Sequence, residues 1–285
     1  MINHYVLTHN IEYNLKLCLD SISQSTQVEQ RIIVVYNGKC DCQTKSFFKE
    51  FPSIDVYYVG FNAFTFGVYL AMNKYQNIDD EYFALSDGDF IFPDEPNGDW
   101  LEDFIAFMDE NPFVGRTGLG IDLKNIENNY DFREIFSHEI SYKTGFVISK
   151  YYNAPIDTTP ALYRRNIFYW GNKILPGHMT GMKPHLYSMI SRDHEGYHLG
   201  WDTNKYQISN FQIPLSNLIS FALFNGSLPK SSLSRQPIIS RILFLFLRFF
   251  FRLFWRSFKL SALVLYMLRR KLFLLNEIEN RFDRF

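Results

Sequence analysis

The feature that most constrains this chain is the order of its first ~125 residues, where short β-branched or aromatic runs alternate with segments of helical periodicity. That alternation is the pattern of a parallel sheet joined by crossover helices. Tyr5-Val6-Leu7 reads as the first strand. Asn10 then offers an N-cap, and Leu15, Cys18, Leu19 and Ile22 recur at helical spacing, so residues 11–23 should lay one apolar stripe on the sheet. Arg31 to Tyr36 is a second strand of the buried type, closed by Asn37-Gly38. Val56 to Val59 gives a third strand, Phe66 to Tyr75 a helix, and Tyr82 to Ser86 a fourth strand. Trp100 to Met108 is a further helix, stopped by Asn111-Pro112.

The fourth strand runs directly into Asp87-Gly88-Asp89. Open α/β sheets bind ligands just beyond the carboxyl ends of their strands, so these acids fall where a site is expected. Two carboxylates two residues apart on extended backbone project to one side, and the glycine between them lets a phosphate approach the main chain. Such a pair suits Mg²⁺ or Mn²⁺, hard cations that commonly bridge one or two carboxylates to a diphosphate and neutralise the charge that grows as it leaves.

Several runs then fall into one family pattern. Tyr5 to Asn10 with Leu15, Cys18-Leu19 and Ser21-Ile22 behind it, Ile32 to Gly38, the Asn62/Gly67/Asn73 segment, and Asp87-Gly88-Asp89 in the D-x-D place together resemble the GT-A-fold glycosyltransferases of the family-2 type. The match covers roughly residues 3–110 and thins to fragments by about 200. The resemblance implies a Rossmann-like α/β fold with a mostly parallel sheet flanked by helices. It also implies transfer of a sugar from a nucleotide-sugar donor, a UDP-sugar being favoured, with Thr8, Asn10, Asn37 and Asn62 beside the donor. One departure stands out: the second strand ends Tyr36-Asn37-Gly38-Lys39, where the family has Asp-Asn-Gly-Ser.

Further roles follow from the same resemblance. The run from Ile156 to Arg165 is similar to a later family strand ending in Arg-Arg, which makes Asp157 a candidate for sugar or acceptor hydroxyls and Arg164 or Arg165 a candidate for the diphosphate, since guanidinium pairs bidentately with such oxygens. An inverting enzyme needs a carboxylate to take the acceptor proton, and Asp193 or Glu195 fits that place, with Asp157 as a third candidate. A downstream histidine completes the metal shell in several GT-A enzymes, which points to His185 or His178. The stretch from Gly171 to Gly200 reads as active-site loops with a short helix, and residues 113–152 show no clean period.

Composition separates the two ends of the molecule. The net charge is -1, yet from Arg235 onward eleven Lys and Arg face three Asp and Glu, leaving 18 basic against 27 acidic residues before it. An acidic body with a basic tail suits an anionic surface. Aromatic residues make up 18% of the chain, and ten of its 29 Phe crowd into the segment from Phe244 onward. Residues 227–237 have linker composition. Beyond them, at ~100° per residue, Arg241, Arg248, Arg252, Arg256 and Lys259 fall on one narrow helical face while Phe, Leu, Ile and Trp255 fill the rest. The longest uncharged run in this segment, Leu260 to Leu268, is far below the ~20 residues that span a bilayer. The pattern is that of a helix lying in a membrane interface, and its apolar surround is unlike a nucleic-acid arm.

The sequence thus sets out a transferase domain over 1–226, a linker over 227–237, and basic, aromatic, membrane-associating helices over 238–285. With three cysteines, an odd number without a zinc spacing, and no recognisable signal segment at Met1, the expected place is the cytoplasm, peripheral to the inner face of the cytoplasmic membrane. The expected acceptor is a glycan or lipid-linked molecule at that surface, as in lipopolysaccharide or capsule assembly, and the expected stereochemistry is inversion. The alternatives are a retaining enzyme on the same fold, or a non-catalytic nucleotide- or glycan-binding module.

Overall fold

A computed structural model describes most of the chain; residues 10–12, 62, 64–65, 78, 95–97, 113, 125, 128–132, 144, 157–159, 166–168, 171–172, 175–187, 202–214, 224–232, 254–267 and 269–285 lie outside the described set. The first half keeps the predicted strands and helices and adds two short elements, α2 (Cys42–Phe48) and β5 (Phe90–Ile91), that the periodicity did not show. Strand β1 (Ile2–Thr8) leads to helix α1 (Tyr13–Gln24), then β2 (Gln30–Tyr36), α2 (Cys42–Phe48), β3 (Asp55–Tyr58), α3 (Phe66–Tyr75), β4 (Tyr82–Asp87) and the short β5 (Phe90–Ile91). Helix α4 (Trp100–Glu110) begins at Asp99, whose side chain accepts from the backbone N–H groups of Leu101 and Glu102 and so caps it. The expected stripe of Leu15, Cys18, Leu19 and Ile22 is the buried face of α1.

The second half departs from simple alternation. After β6 (Arg116–Ile121) come α5 (Arg133–Tyr142), β7 (Val147–Ile148), β8 (Tyr151–Asn153), β9 (Ala161–Arg164), a β10 (Tyr169–Trp170) and β11 (Lys173–Ile174) hairpin, and the eleven-residue β12 (Ser188–His198). That long strand occupies ground expected to be loops and a short helix. Helix α6 (Leu215–Leu223) and a helix α7 over 238–253 follow.

The main sheet has the order β3-β2-β1-β4-β9-β6-β12-β8-β7, with β5 paired to β12. Strands β3, β2, β1 and β4 are mutually parallel, and β6 is parallel to β12. Strand β9 lies between β4 and β6, antiparallel to both, so β6 and β12 point the same way as β4. The carboxyl ends of β1, β2, β4, β6 and β12 therefore share one edge. One apolar layer on Leu15, Leu19, Trp100, Phe104 and Met108 covers the face carrying α1 and α4. A second on Val68, Ala71, Met72, Phe83 and Tyr163 covers the face carrying α3. The arrangement is α/β, a mostly parallel sheet with helices on both faces.

Strand β12 does not keep one alternation throughout. Ile190 stands opposite Gly118 and Glu195 opposite Gly120, so five steps along β12 match two along β6. The Ser191 hydroxyl accepts the N–H groups of both Asp193 and His194, pinning the bulge. Before it, Ile190 faces the α3 layer. After it, His194 points to α4 and Glu195 to the other face.

Helix α7 packs on α6 through Phe244, which joins Leu218 and Ala222, with Leu247 beside them. Ile238, Ile239, Ile242, Leu245, Phe246, Phe249, Phe250 and Leu253 are exposed, most by more than 60%. At ~100° per residue these eight span an arc of about 140°, while Arg241, Arg248 and Arg252 fall within about 40° along one border of it. The expected amphipathic pattern holds over the described part. No helix among the described residues is long and apolar enough to cross a membrane.

Candidate functional site

Thr8, Tyr36 and Asp87, the last residues of β1, β2 and β4, stand side by side because the strands are in parallel register, with Thr8 opposite Tyr36 and Leu7 opposite Asp87. The N–H of Asn37 donates to the Thr8 carbonyl at 2.8 Å and the N–H of Gly88 to the Leu7 carbonyl at 2.9 Å. A β-carbon on Gly88 would meet Thr8 Cβ at 3.0 Å and Leu15 Cδ1 at 3.1 Å. Glycine thus lets the turn sit close to β1 without crowding Thr8 and Leu15.

The strand beneath this turn is held by a buried polar pair. His4 is fully enclosed, its Nε2 3.0 Å from the Ser86 hydroxyl and its Nδ1 2.8 Å from Gln30 Oε1. Burial lowers its pKa to about 4, so the ring is neutral at pH 7. From α1, the Cys18 thiol faces the Asp87 carbonyl at 3.7 Å. Burial raises the Cys18 pKa strongly, as do the nearby Asp89 and Asp87 charges, against a smaller lowering from a backbone hydrogen bond at Phe90, which makes this thiol a packing group.

Asp89 is fixed from the other side by β12. Phe90 pairs with His198 and Ile91 with Tyr197, and the N–H of Leu199 donates to the Asp89 carbonyl at 2.7 Å. His198 Nε2 thereby stands 3.8 Å from Asp89 Oδ1. Its Nδ1 accepts the N–H of Gly200 at 3.1 Å. A side chain at Gly200 would reach His198 Cε1 at 2.7 Å and Asp89 Oδ2 at 3.0 Å, so this glycine keeps the space between the two groups clear.

These residues fit a divalent cation. Two ligands of one ion at ~2.1 Å each are separated by at most about 4.2 Å, and the Asp89–His198 distance lies within that limit. Among the described residues no three His, Cys, Asp or Glu side chains are already gathered as a metal cluster. That is compatible with Mg²⁺ or Mn²⁺, which usually retain water and take further oxygens from a diphosphate. His198 was not among the histidines singled out from the sequence; the signal for it is a histidine ending a strand before Leu199-Gly200, visible only once residues 188–198 are read as a strand.

The other expected residues divide. Thr8 and Asn37 lie at this edge; Asn37 is buried, and a β-carbon on Gly67 at the start of α3 would land on its Oδ1. Asn10, Asn62, Asp157, His178 and His185 lie outside the described residues.

Arg164 is a correction. Because β9 is antiparallel to β4, its end lies beside Tyr82, at the edge opposite Asp87. There its side chain is 2% exposed and bonds to Glu81 Oε1 at 3.0 Å, the Val114 carbonyl at 3.3 Å and the Met108 carbonyl. Arg165 sits at the same end, its N–H on the Glu81 carbonyl. Both arginines close the sheet's far end, and neither is in place to hold a diphosphate at Asp87.

Asp193 and Glu195 were the candidate bases that the family resemblance implied, but the bulge separates them. Asp193 turns toward α4, 3.7 Å from Lys150 Nζ, and Glu195 toward the opposite face, 2.7 Å from Lys143 Nζ. Asp193 is five residues from His198, ~16 Å along a strand. Neither carboxylate is brought to Asp89.

No family model matches the chain, and no curated protein matches it. Among solved structures, it is similar to residues 1–349 of TarS from S. aureus in complex with UDP: 14% identity, TM-score 0.42, covering 92% of this chain and 91% of that one. It is also similar to the mannosyltransferase PcManGT from Pyrobaculum calidifontis in complex with GDP-Man and Mn²⁺, at 11% identity and TM-score 0.44, covering 98% and 79%. A third similarity is to GalNAc-T7 with UDP, GalNAc and Mn²⁺, at 9% identity and TM-score 0.46, covering 70% of this chain and 43% of that one. Likeness at this level does not by itself assign an activity.

Proposed function

We propose that this chain is a glycosyltransferase that moves a sugar from a nucleotide-sugar donor, a UDP-sugar first among candidates, to a membrane-associated glycan or lipid-linked acceptor, with Mn²⁺ or Mg²⁺ at Asp87 and Asp89. The observation that carries it is the acidic turn Asp87-Gly88-Asp89 at the carboxyl edge of the sheet, pressed against Thr8 and faced by His198. A divalent ion there supplies positive charge against the diphosphate leaving group. Asp87 and Asp89 would hold it, and His198, 3.8 Å from Asp89, would be a further ligand on that side. Thr8 and the Asn37 turn border the side on which a nucleotide would lie. Inversion follows from the family resemblance, and product NMR of the anomeric centre reads it directly.

The membrane part of the proposal rests on α7. Eight exposed aliphatic and aromatic side chains on one arc, bordered by Arg241, Arg248 and Arg252, match what an interfacial helix needs: an apolar face for the acyl boundary and cations for anionic headgroups. On this reading residues 1–226 form the transferase domain and 238–285 hold it at the inner leaflet, beside its acceptor.

The decisive test is a thermal-shift and hydrolysis screen against UDP-, GDP-, CMP- and dTDP-sugars with and without Mn²⁺. One nucleotide should stabilise the protein only with metal, and Asp89→Ala should remove that response while leaving the metal-free melting temperature within a few degrees. If no nucleotide stabilises or is hydrolysed, the transferase reading fails and the binding-module alternative loses its nucleotide arm too.

A further inference from the structure

Strand β2 ends in Tyr36, the residue at which the chain departs from the family pattern, and the side chain lies under the turn that follows it. The ring is buried, in edge-to-face contact with Phe48 of α2 at 5.9 Å and with Tyr58 of β3 at 6.2 Å, and those two rings meet each other at 6.2 Å. From this cluster the phenol reaches Gly38. A β-carbon on Gly38 would come 2.5 Å from Tyr36 Cζ, 2.7 Å from Cε1, and closer still to the hydroxyl oxygen. Gly38 does not take a positive φ, so glycine is needed there for this contact and not for the backbone conformation. The main chain of the turn rests on the ring.

The rest of the turn is held from the protein side as well. The Asn37 N–H is bound to the Thr8 carbonyl of β1, and the Asn37 side chain packs on Gly67 at the start of α3. The Lys39 carbonyl accepts the Asp41 N–H at 3.0 Å and the Thr44 hydroxyl at 3.3 Å. That same hydroxyl, buried in α2, stands 3.5 Å from Tyr36 Oη, and the Thr44 N–H donates to the capping Asp41 side chain at 2.8 Å. Helix α2 therefore braces both the phenol and the far end of the turn.

We propose that Tyr36 is a positioning residue for the nucleotide: it touches no part of the donor, and it sets the height of the Asn37-Gly38-Lys39 main chain beside Thr8. The inference rests on the proposal that a nucleotide lies against Thr8 and this turn. Its distinguishing feature is where the ring points. Phe48 belongs to the same aromatic cluster, yet the three atoms nearest a Gly38 β-carbon all belong to Tyr36. Loss of either ring removes core packing, but loss of Tyr36 also removes the floor of the turn.

Calorimetric titration of UDP, GDP, CDP and dTDP, each with Mn²⁺, into the full chain and its variants tests this. For whichever nucleotide the wild type binds best, Tyr36→Leu should weaken binding about tenfold, and Gly38→Ala, which drives a methyl group into the phenol, by a similar factor. Tyr36→Phe keeps the ring and should restore affinity to within about threefold of wild type. Phe48→Leu should lower the melting temperature about as much as Tyr36→Leu while leaving nucleotide affinity within about twofold. The double variant of Tyr36→Leu with Gly38→Ala is the strictest arm. Truncating the ring removes the atoms that the methyl group would strike, so the double variant should bind within about threefold of Tyr36→Leu alone, where independent effects would give a further tenfold loss. Gly38 lies in a partly exposed turn, so Gly38→Ala carries the test even if Tyr36→Leu fails to fold. Wild-type affinity in Gly38→Ala, an equal loss in Phe48→Leu and Tyr36→Leu, or fully multiplicative losses in the double variant would each overturn the role. A wild type that binds none of the four nucleotides fails the transferase reading and this proposal with it; a wild type that binds, with variants that match it, fails this proposal alone.

Discussion

Gly196 offers the sharpest test of how the acidic turn is held. It lies in β12 beneath the β5 pairing, and a β-carbon there would come 2.5 Å from Phe90 Cζ, closer still to Cε1, and 2.6 Å from the Ile91 carbonyl oxygen. The ring could shift, but the carbonyl belongs to the backbone of β5 and cannot move without breaking the pairs that fix Asp89. Overpacking a tight site costs typically 1–3 kcal/mol, and with two collisions, one on main chain, Gly196→Ala should cost about 3 kcal/mol. For a domain of this size that is a fall of roughly 6–12 °C in melting temperature. Gly118→Ala is the control: its β-carbon's three nearest neighbours would all be atoms of the Ile156 side chain, Cδ1 at 2.9 Å, with no main chain among them, so the cost should be nearer to about 1 kcal/mol. Differential scanning fluorimetry reads both, and adding Mn²⁺ with the best nucleotide reads the site: Gly196→Ala should lose that stabilisation and Gly118→Ala keep it. If Gly196→Ala melts and binds like wild type, β5 and β12 do not hold Asp89 as described.

Three other outcomes follow from single features. His4 has a folded-state pKa of about 4 against 6.5 unfolded, so between those values the unfolded chain takes up a proton that the folded one refuses. Stability is then lost as pH falls from about 6.5 toward 4, by up to about 3 kcal/mol more in wild type than in His4→Gln; equal urea-unfolding loss in both proteins would remove His4 from the account. Arg164→Met strands the buried Val114 and Met108 carbonyls and should destabilise by about 2–4 kcal/mol while leaving nucleotide stabilisation intact; a selective loss of nucleotide response would restore the diphosphate role. For α7, each buried Phe contributes about 1.5–3 kcal/mol, so Phe246→Asp with Phe249→Asp should cut co-sedimentation with phosphatidylglycerol vesicles at least about 100-fold; unchanged binding would exclude this face.

What could be read from residues alone tracks how local the determining physics is. The stripe of α1, the span of α3 and the place of Asp87-Gly88-Asp89 depend on periodicity and on strand ends, and the structure keeps them. Helix α2 was missed: seven residues capped by Asp41, with two buried positions, leave too short a pattern to recognise. Arg164 was misplaced because strand direction is a long-range property: nothing between Ala161 and Arg165 says that β9 enters the sheet antiparallel. Asp193 and Glu195 were proposed together from the family resemblance, in a stretch read as loops and a short helix; that they lie on a bulged strand depends on Ser191, whose hydroxyl gathers two N–H groups, and on pairing with the distant β6.

The bulge also divides β12 into two codes. Up to Ile190 the even positions face α3; from Glu195 the odd ones do, while Gly196 and His198 turn toward the acidic turn. A library that varies this strand must therefore change its rule at Ser191: from Ser188 to Ser191 both faces are buried and every position needs a fitting side chain, whereas beyond it the buried positions are the alternate ones, His194, Gly196 and His198.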